Sequence, residues 1–150
     1  MSKVKQEVTT EFTREVSRIN LTFKQFIQLK LRQNNFDLTF EMLQILALLW
    51  RKDGINQQEI ADRTVKEKAS MTYLLDNLSK RKLVVRKEDE QDRRNKLIFL
   101  TAKGADLKDK IEPWVKEMYL LASKNIPIDK IAICIEVLTA MRKNLQGQEG

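Results

Sequence analysis

The 150-residue chain contains no histidine. That absence removes imidazole acid/base chemistry and the Ser–His and Cys–His nucleophile pairs. With a single cysteine, Cys134, neither an internal disulfide nor a zinc-finger ligand set can be assembled. A reducing, cytoplasmic setting is the expectation from that count. Four glycines and two prolines leave little material for loops and favour a helix-rich fold. No run of 18 apolar residues occurs, and the first ten residues lack the apolar stretch of a leader peptide, so no membrane partner is expected. Neither a glycine-rich phosphate loop nor a paired-carboxylate cleft stands out. No catalytic residue, metal site or cofactor is expected.

Positive charge is what the chain has in surplus. Lys and Arg number 28 against 21 Asp and Glu, a formal charge of +7. Most of the excess falls in residues 63–96, which carry 11 basic and 6 acidic side chains. Such a surplus suits nucleic acid or an anionic membrane surface. Glu7, Glu11 and Glu15 on the first helical stretch argue against the membrane.

Hydrophobic spacing predicts the elements. Val8, Phe12, Val16, Ile19, Phe23, Phe26, Ile27 and Leu31 recur every three or four residues, predicting a long amphipathic helix over 4–31 that the polar cluster 32–35 ends. Thr39 is placed to cap a second helix, with Phe40, Leu43, Leu46, Ala47 and Trp50 inward and Asp53-Gly54 as its stop. Ile55 is isolated enough to be only a short strand or an anchor. Asn56 with Glu59 three residues on reads as an N-cap and its box partner, opening a short third helix that turns Ile60 and Ala61 inward. A polar link over 64–67 leads to a fourth helix over about 68–81, with Met71, Leu74, Leu75 and Leu78 on its inner face. Strand signals at 83–87 and 97–100 flank seven polar residues, a β-hairpin with a long charged tip. Thr101 can cap a fifth helix whose stripe is Leu107, Ile111, Trp114, Val115, Met118 and Leu121, with a kink at Pro113. After a turn at 125–127, a last helix over 128–145 turns Ile131, Ile135, Leu138, Met141 and Leu145 inward.

Helix, short strand, helix, turn, helix and hairpin over 38–101 describe a winged helix-turn-helix lobe. The fourth helix offers Ser70, Thr72, Tyr73 and Asn77 together with the cations Lys66, Lys68 and Lys80. Short hydroxyls and amides meet base edges or phosphates in the major groove, and Lys neutralises phosphate. At the hairpin tip, Arg93, Arg94 and Lys96 suit the negative potential of an adjacent minor groove. The flanks, 1–37 and 102–150, make up more than half the chain and carry three long apolar stripes. A lobe of this size cannot cover them, and leaving large side chains wet forfeits about 1.5–3 kcal/mol each. A second copy is the expected cover. The fold class is therefore mainly α with a small β-hairpin wing, a winged lobe joined to a helical dimerisation region built from both chain ends. Twofold pairing sets two recognition helices about one DNA turn apart, so the expected target is a pseudo-palindrome in double-stranded DNA.

The segments Leu38-Thr39, Asn56-Gln57-Gln58-Glu59-Ile60-Ala61, Ser70-Met71-Thr72-Tyr73-Leu74-Leu75-Asp76-Asn77-Leu78, Leu83-Val84-Val85-Arg86, Asp92-Arg93-Arg94 and Leu100-Thr101-Ala102-Lys103-Gly104 resemble the MarR (multiple antibiotic resistance regulator) family, and the likeness covers almost the whole chain. The resemblance implies a homodimeric bacterial or archaeal transcription factor; a repressor is the leading expectation, and promoter placement decides between repressor and activator. It implies that Asp92 braces Arg94 by a salt bridge while Arg94 enters the minor groove. It also implies a small aromatic or anionic effector held between the dimerisation helices and the winged lobe, for which Phe26, Phe36, Trp50 and Arg86 are the candidates. Two departures stand out: Lys82 occupies a position where the family usually places Gly, which calls for a left-handed lysine or a different turn, and Tyr73 stands where Arg is common. One subgroup senses peroxides through a thiol near the N-terminus; Cys134 instead lies between Ile131 and Leu138 of the last stripe and is expected to be buried and inert. The competing reading is a helical protein-interaction adaptor whose winged lobe binds protein. Affinity for random duplex, and its salt dependence, separate the two.

Overall fold

The computed structural model describes residues 2–64 and 68–148, the side chain of Lys68 excepted. Helix α1 (Lys3–Gln33) is followed by α2 (Phe40–Arg51), β1 (Ile55–Asn56), α3 (Gln57–Thr64), α4 (Lys68–Lys80), β2 (Val84–Glu88), β3 (Lys96–Leu100), α5 (Ala102–Ala122) and α6 (Ile128–Gln146). The chain divides into two compact units, Met1–Val115 and Lys116–Gly150.

Side-chain caps start α2, α3 and α5 where the pattern placed them. Thr39 Oγ1 accepts from the Met42 amide at 3.2 Å, Asn56 Oδ1 from the Glu59 amide at 2.7 Å, and Thr101 Oγ1 from the Gly104 amide at 3.0 Å. Each satisfies a donor that a helix N-terminus otherwise leaves unpaired. The stops of α1 and α4 are made without glycine. At the end of α1, Asn35 is left-handed (φ 58°), with Phe36 N–H donating to Leu31 O and Asn35 N–H to Arg32 O. After α4 the same pair of bonds recurs, Leu83 to Leu78 and Lys82 to Ser79, and Lys82 carries the left-handed conformation at φ 57°. This is a Schellman ending, with the buried Leu78 and Leu83 as its hydrophobic contact. Lysine does tolerate the site.

The hairpin gains a third strand. Strand β1 pairs antiparallel with β3 (Ile55 opposite Ile98), and β2 pairs with β3 from Val84 opposite Leu100 to Glu88 opposite Lys96, giving the order β1-β3-β2. Gly54 permits the entry into β1. Its φ is +69°, and a Cβ there would lie 2.7 Å from the Phe99 ring. The core beneath joins Ile45, Leu46 and Leu49 of α2, Ile60 of α3, Met71, Leu75 and Leu78 of α4, Ile98 of β3 and Ile111 of α5, all fully buried.

Several predicted inner faces differ. In α2 the buried residues are Met42, Leu43, Ile45, Leu46 and Leu49, whereas Ala47 is exposed and Phe40 and Trp50 are half-buried. An all-apolar run hides the phase of its own helix. Only Ile27 and Leu31 of the α1 stripe are buried, and Val8 and Ile19 are exposed. In the second unit no residue of α6 is buried: Ile131, Ile135, Leu138 and Leu145 are exposed, as is Leu121 of α5. Cys134 is exposed too, contrary to expectation. A stripe at helical spacing identifies the face that seeks cover, not whether the same chain provides it. Helix α5 continues through Pro113.

The start of α5 is fastened to the turn after α4. Lys103 Nζ donates to the Arg81 carbonyl (3.2 Å), Thr101 Oγ1 to that of Lys82 (2.7 Å) and the Thr101 amide to that of Leu83 (3.0 Å). Gly104 lets α5 come this close, because a Cβ there would sit 2.1 Å from Leu83 O. The Trp50 indole donates to the Gly104 carbonyl at 3.0 Å and closes the junction from α2. Gly104→Ala forces backbone against backbone and should cost at least about 2 kcal/mol, seen as a melting temperature lower by roughly 5–10 °C. Gly147→Ala, whose new methyl meets nothing nearer than 3.4 Å, should leave melting unchanged.

Candidate nucleic-acid interface

Helix α4 buries Met71, Leu74, Leu75 and Leu78 against the core, and this fixes which face points outward. Ser70, Thr72, Tyr73, Asp76 and Lys80 are exposed on that outer face, Tyr73 at 67%, and Asn77 is half-buried. Lys66 lies outside the described residues, as does the side chain of Lys68. The wing tip is held by its own acidic side chains. Asp89 Oδ1 accepts from the Gln91 amide (3.0 Å), Asp92 Oδ1 from the Arg94 amide (3.1 Å), and Asp92 O from the Asn95 amide (2.9 Å). Asx turns of this kind shape a loop without glycine. Arg93, Arg94 and Lys96 are exposed beyond them. Arg94 Nε stands 3.8 Å from Asp92 Oδ1, and its side chain is 97% exposed, so the pair is loose and worth little to stability.

The partners of these side chains distinguish residues that spacing alone treats alike. Asn77 Nδ2 donates to the Tyr73 carbonyl (2.9 Å) and its Oδ1 accepts from Arg81 (3.2 Å), so the carboxamide is engaged at both ends within its own segment. Arg81 also donates through Nε to the Asp37 carbonyl (2.8 Å) and pairs with the Asp37 carboxylate (3.1 Å), tying the end of α4 to the α1–α2 connection. Gln57, read from sequence only as part of a cap, donates through Nε2 to Thr72 Oγ1 at 3.0 Å. A concavity of 250 Å³ between α3, α4 and the wing is lined by Gln57, Gln58, Ala61, Met71, Arg94, Asn95 and Lys96. Sequence spacing held no signal for this, since it joins segments nearly forty positions apart.

The four candidate effector residues do not converge. Phe36 lines a crevice of 640 Å³ with Leu38, Leu83 and Leu107 and the charged Asp37, Arg81, Lys103, Asp106 and Lys110. Phe36 also meets Trp114 edge-on, with ring centroids 5.6 Å apart. Phe26 carries the Lys30 ammonium 5.5 Å over its ring, Trp50 is spent on Gly104, and Arg86 pairs with Asp76 at 2.8 Å. Arg86 therefore braces the outer face of α4 from β2, and the cations lining the crevice are ones that sequence reasoning had not put there.

A family model described as MarR family matches residues 36–95, which span the helix pair and the wing. The HTH-type transcriptional regulator TtmR of Methylorubrum extorquens (strain PA1) is 29% identical over 114 residues, 76% of this chain and 57% of that protein. The chain thus spans little more than half the length of that relative. The HTH-type transcriptional regulator MhqR of Bacillus subtilis (strain 168) is 30% identical over 67% of this chain and 69% of its own. Among solved structures, S. aureus MepR in its DNA-binding conformation superposes with a TM-score of 0.78 at 29% identity, covering 89% of this chain and 98% of that one. Reduced AbfR bound to DNA gives 0.80 over 97% of this chain and 99% of its own, at 20% identity, a likeness of fold. The mostly helical chain, its three-stranded wing and these two independent kinds of similarity have one explanation: the chain belongs to the MarR family of winged helix-turn-helix proteins.

Proposed function

We propose that this protein is a cytoplasmic transcriptional regulator that binds double-stranded DNA as a homodimer, repressing from pseudo-palindromic operators. One observation carries the reading: in a single compact unit, an outward helix face of short polar side chains lies alongside a wing tip bearing Arg93, Arg94 and Lys96. The helix is of a size to enter the major groove, and the wing arginines are suited to the narrower groove beside it. Relatives that are themselves named as HTH-type transcriptional regulators support it, as does the solved MepR–DNA complex at 28% identity. Dimerisation is supported by the second unit, where Leu120, Leu121, Ile128, Ile133, Ile135 and Leu145 are all more than half exposed. Apolar area of that extent calls for a partner, and a second copy of the chain presents a matching face.

Release by a small aromatic or anionic effector is supported by the 640 Å³ crevice. Its apolar wall and its cations Arg81, Lys103 and Lys110 suit an aromatic ring bearing a carboxylate. Such a ligand competes with Asp37 for Arg81 and so loosens the tie between the α1–α2 connection and the end of α4. The occupant shifts the lobe only by the difference in its affinity for the two arrangements, a coupling of about 1–3 kcal/mol.

Random duplex should bind with a dissociation constant of roughly 1–100 µM at physiological salt, and log affinity should fall linearly with log salt, by about 0.9 per phosphate neutralised. Fluorescence anisotropy with labelled duplex reads this directly. Binding that ignores salt, or its absence, hands the lobe to the protein-adaptor reading. Arg94→Ala should weaken all duplexes alike and flatten the salt slope by about one, and unchanged affinity removes the wing from the mechanism. Light scattering coupled to size exclusion should give twice the chain mass of 17.6 kDa. A monomer at micromolar concentration would end the paired-helix picture.

A further inference from the structure

Ser70, Thr72 and Tyr73 stand together on the outer face of α4, and spacing alone makes their hydroxyls equivalent. Their surroundings separate them. Thr72 Oγ1 accepts a hydrogen bond from Gln57 Nε2 at 3.0 Å, from α3 to α4. Gln57 is the first residue of α3, held there by the Asn56 cap, and it is half-buried beside Arg94 and Lys96 in the concavity facing the wing. A threonine side chain places its hydroxyl and its methyl at a fixed angle on one β-carbon, so anchoring the oxygen also aims the methyl. A helical threonine divides between two staggered orientations, which exchange the places of hydroxyl and methyl; the bond from the Gln57 amide favours the one seen here before any duplex arrives. Contacts whose rotamers are set in advance lose less on binding and discriminate better among bases.

We infer that Gln57 is a positioning residue that sets the sequence preference of this protein by holding Thr72 in one orientation. The inference rests on the DNA-binding reading above and deepens it, since it names a residue of the supporting helix as a determinant of which sequences are chosen.

The experiment uses the full chain. Bound sequences are selected from a random duplex pool with the wild type, Gln57→Ala, Thr72→Val and the double variant. Each is then titrated against the wild-type best site and against random duplex. Gln57→Ala and Thr72→Val should each lower the ratio of specific to random affinity by about five-fold or more, at the same base position. The double variant should be no worse than either single, which is the mark of one residue acting through the other. Unaltered preference in Gln57→Ala overturns the inference. So do additive losses, which make Gln57 a separate DNA contact, and an equal drop on every duplex, which makes it a phosphate contact. Thermal melting checks the fold, and Gln57→Met, which keeps the side-chain length and removes the amide, replaces Gln57→Ala if that variant melts early. A wild type that binds no duplex overturns the functional reading and this inference together; lost coupling in a protein that does bind overturns the inference alone.

Discussion

Three consecutive carbonyls, those of Arg81, Lys82 and Leu83, are each held by a donor from Thr101 or Lys103, and Gly104 is the residue that makes the approach possible. Much of the winged lobe depends on this junction. It lies where α4 has just ended and β2 is about to begin, so it fixes the exit of the helix and the entry of the sheet in one step. It also gives the left-handed Lys82 its compensation. Lysine adopts that conformation at a cost of about 1–2 kcal/mol, and its carbonyl receives the short 2.7 Å bond from Thr101. The run Leu100-Thr101-Ala102-Lys103-Gly104 is therefore a set of fasteners, with the hydroxyl, the ammonium and the missing side chain each doing a separate job.

Elements whose cause is local were readable in the sequence. Thr39, Asn56 and Thr101 cap the helices they precede because a side-chain oxygen three positions upstream of an unpaired amide has few better partners. The inner face of α4 was legible for a similar reason, since Met71, Leu74, Leu75 and Leu78 alternate with clearly polar residues. Where apolar residues run together the phase was lost, as in α2, where Ala47 points outward. The outward display of Ser70, Thr72, Tyr73 and Lys80 on α4 and of Arg93, Arg94 and Lys96 at the wing could be anticipated residue by residue. What each side chain is bound to could not. Asn77 spends its amide on Tyr73 and Arg81, Arg86 spends its charge on Asp76, and Gln57 reaches Thr72 from another helix. Such partners depend on rotamers and on chain crossings that no linear spacing encodes.

Charge is used in two distinct ways. On α1, Arg18 pairs with Glu11 and Glu15, and its guanidinium holds the Glu11 carboxyl below the ordinary carboxylate range; these side chains are exposed and the pairs add little. Arg81, by contrast, is about a quarter exposed and joins four acceptors from two segments: the carbonyl and carboxylate of Asp37, and the carbonyl and amide oxygen of Asn77. A planar fork suits that task where a point charge would not. The +7 surplus is thus not a uniform coating. Some of it is spent on internal ties.

The sheet order leaves β2 at a rim, with β3 on one side and no further strand on the other among the described residues. An unpaired rim offers amides and carbonyls to any extended stranger that drifts past, and two such rims meeting invite fibrous growth. Here the strand is five residues long and ends Arg86-Lys87-Glu88. Brevity and mixed charge together spoil the template, so molecules of this protein crowded side by side have poor means of sticking to one another along that rim.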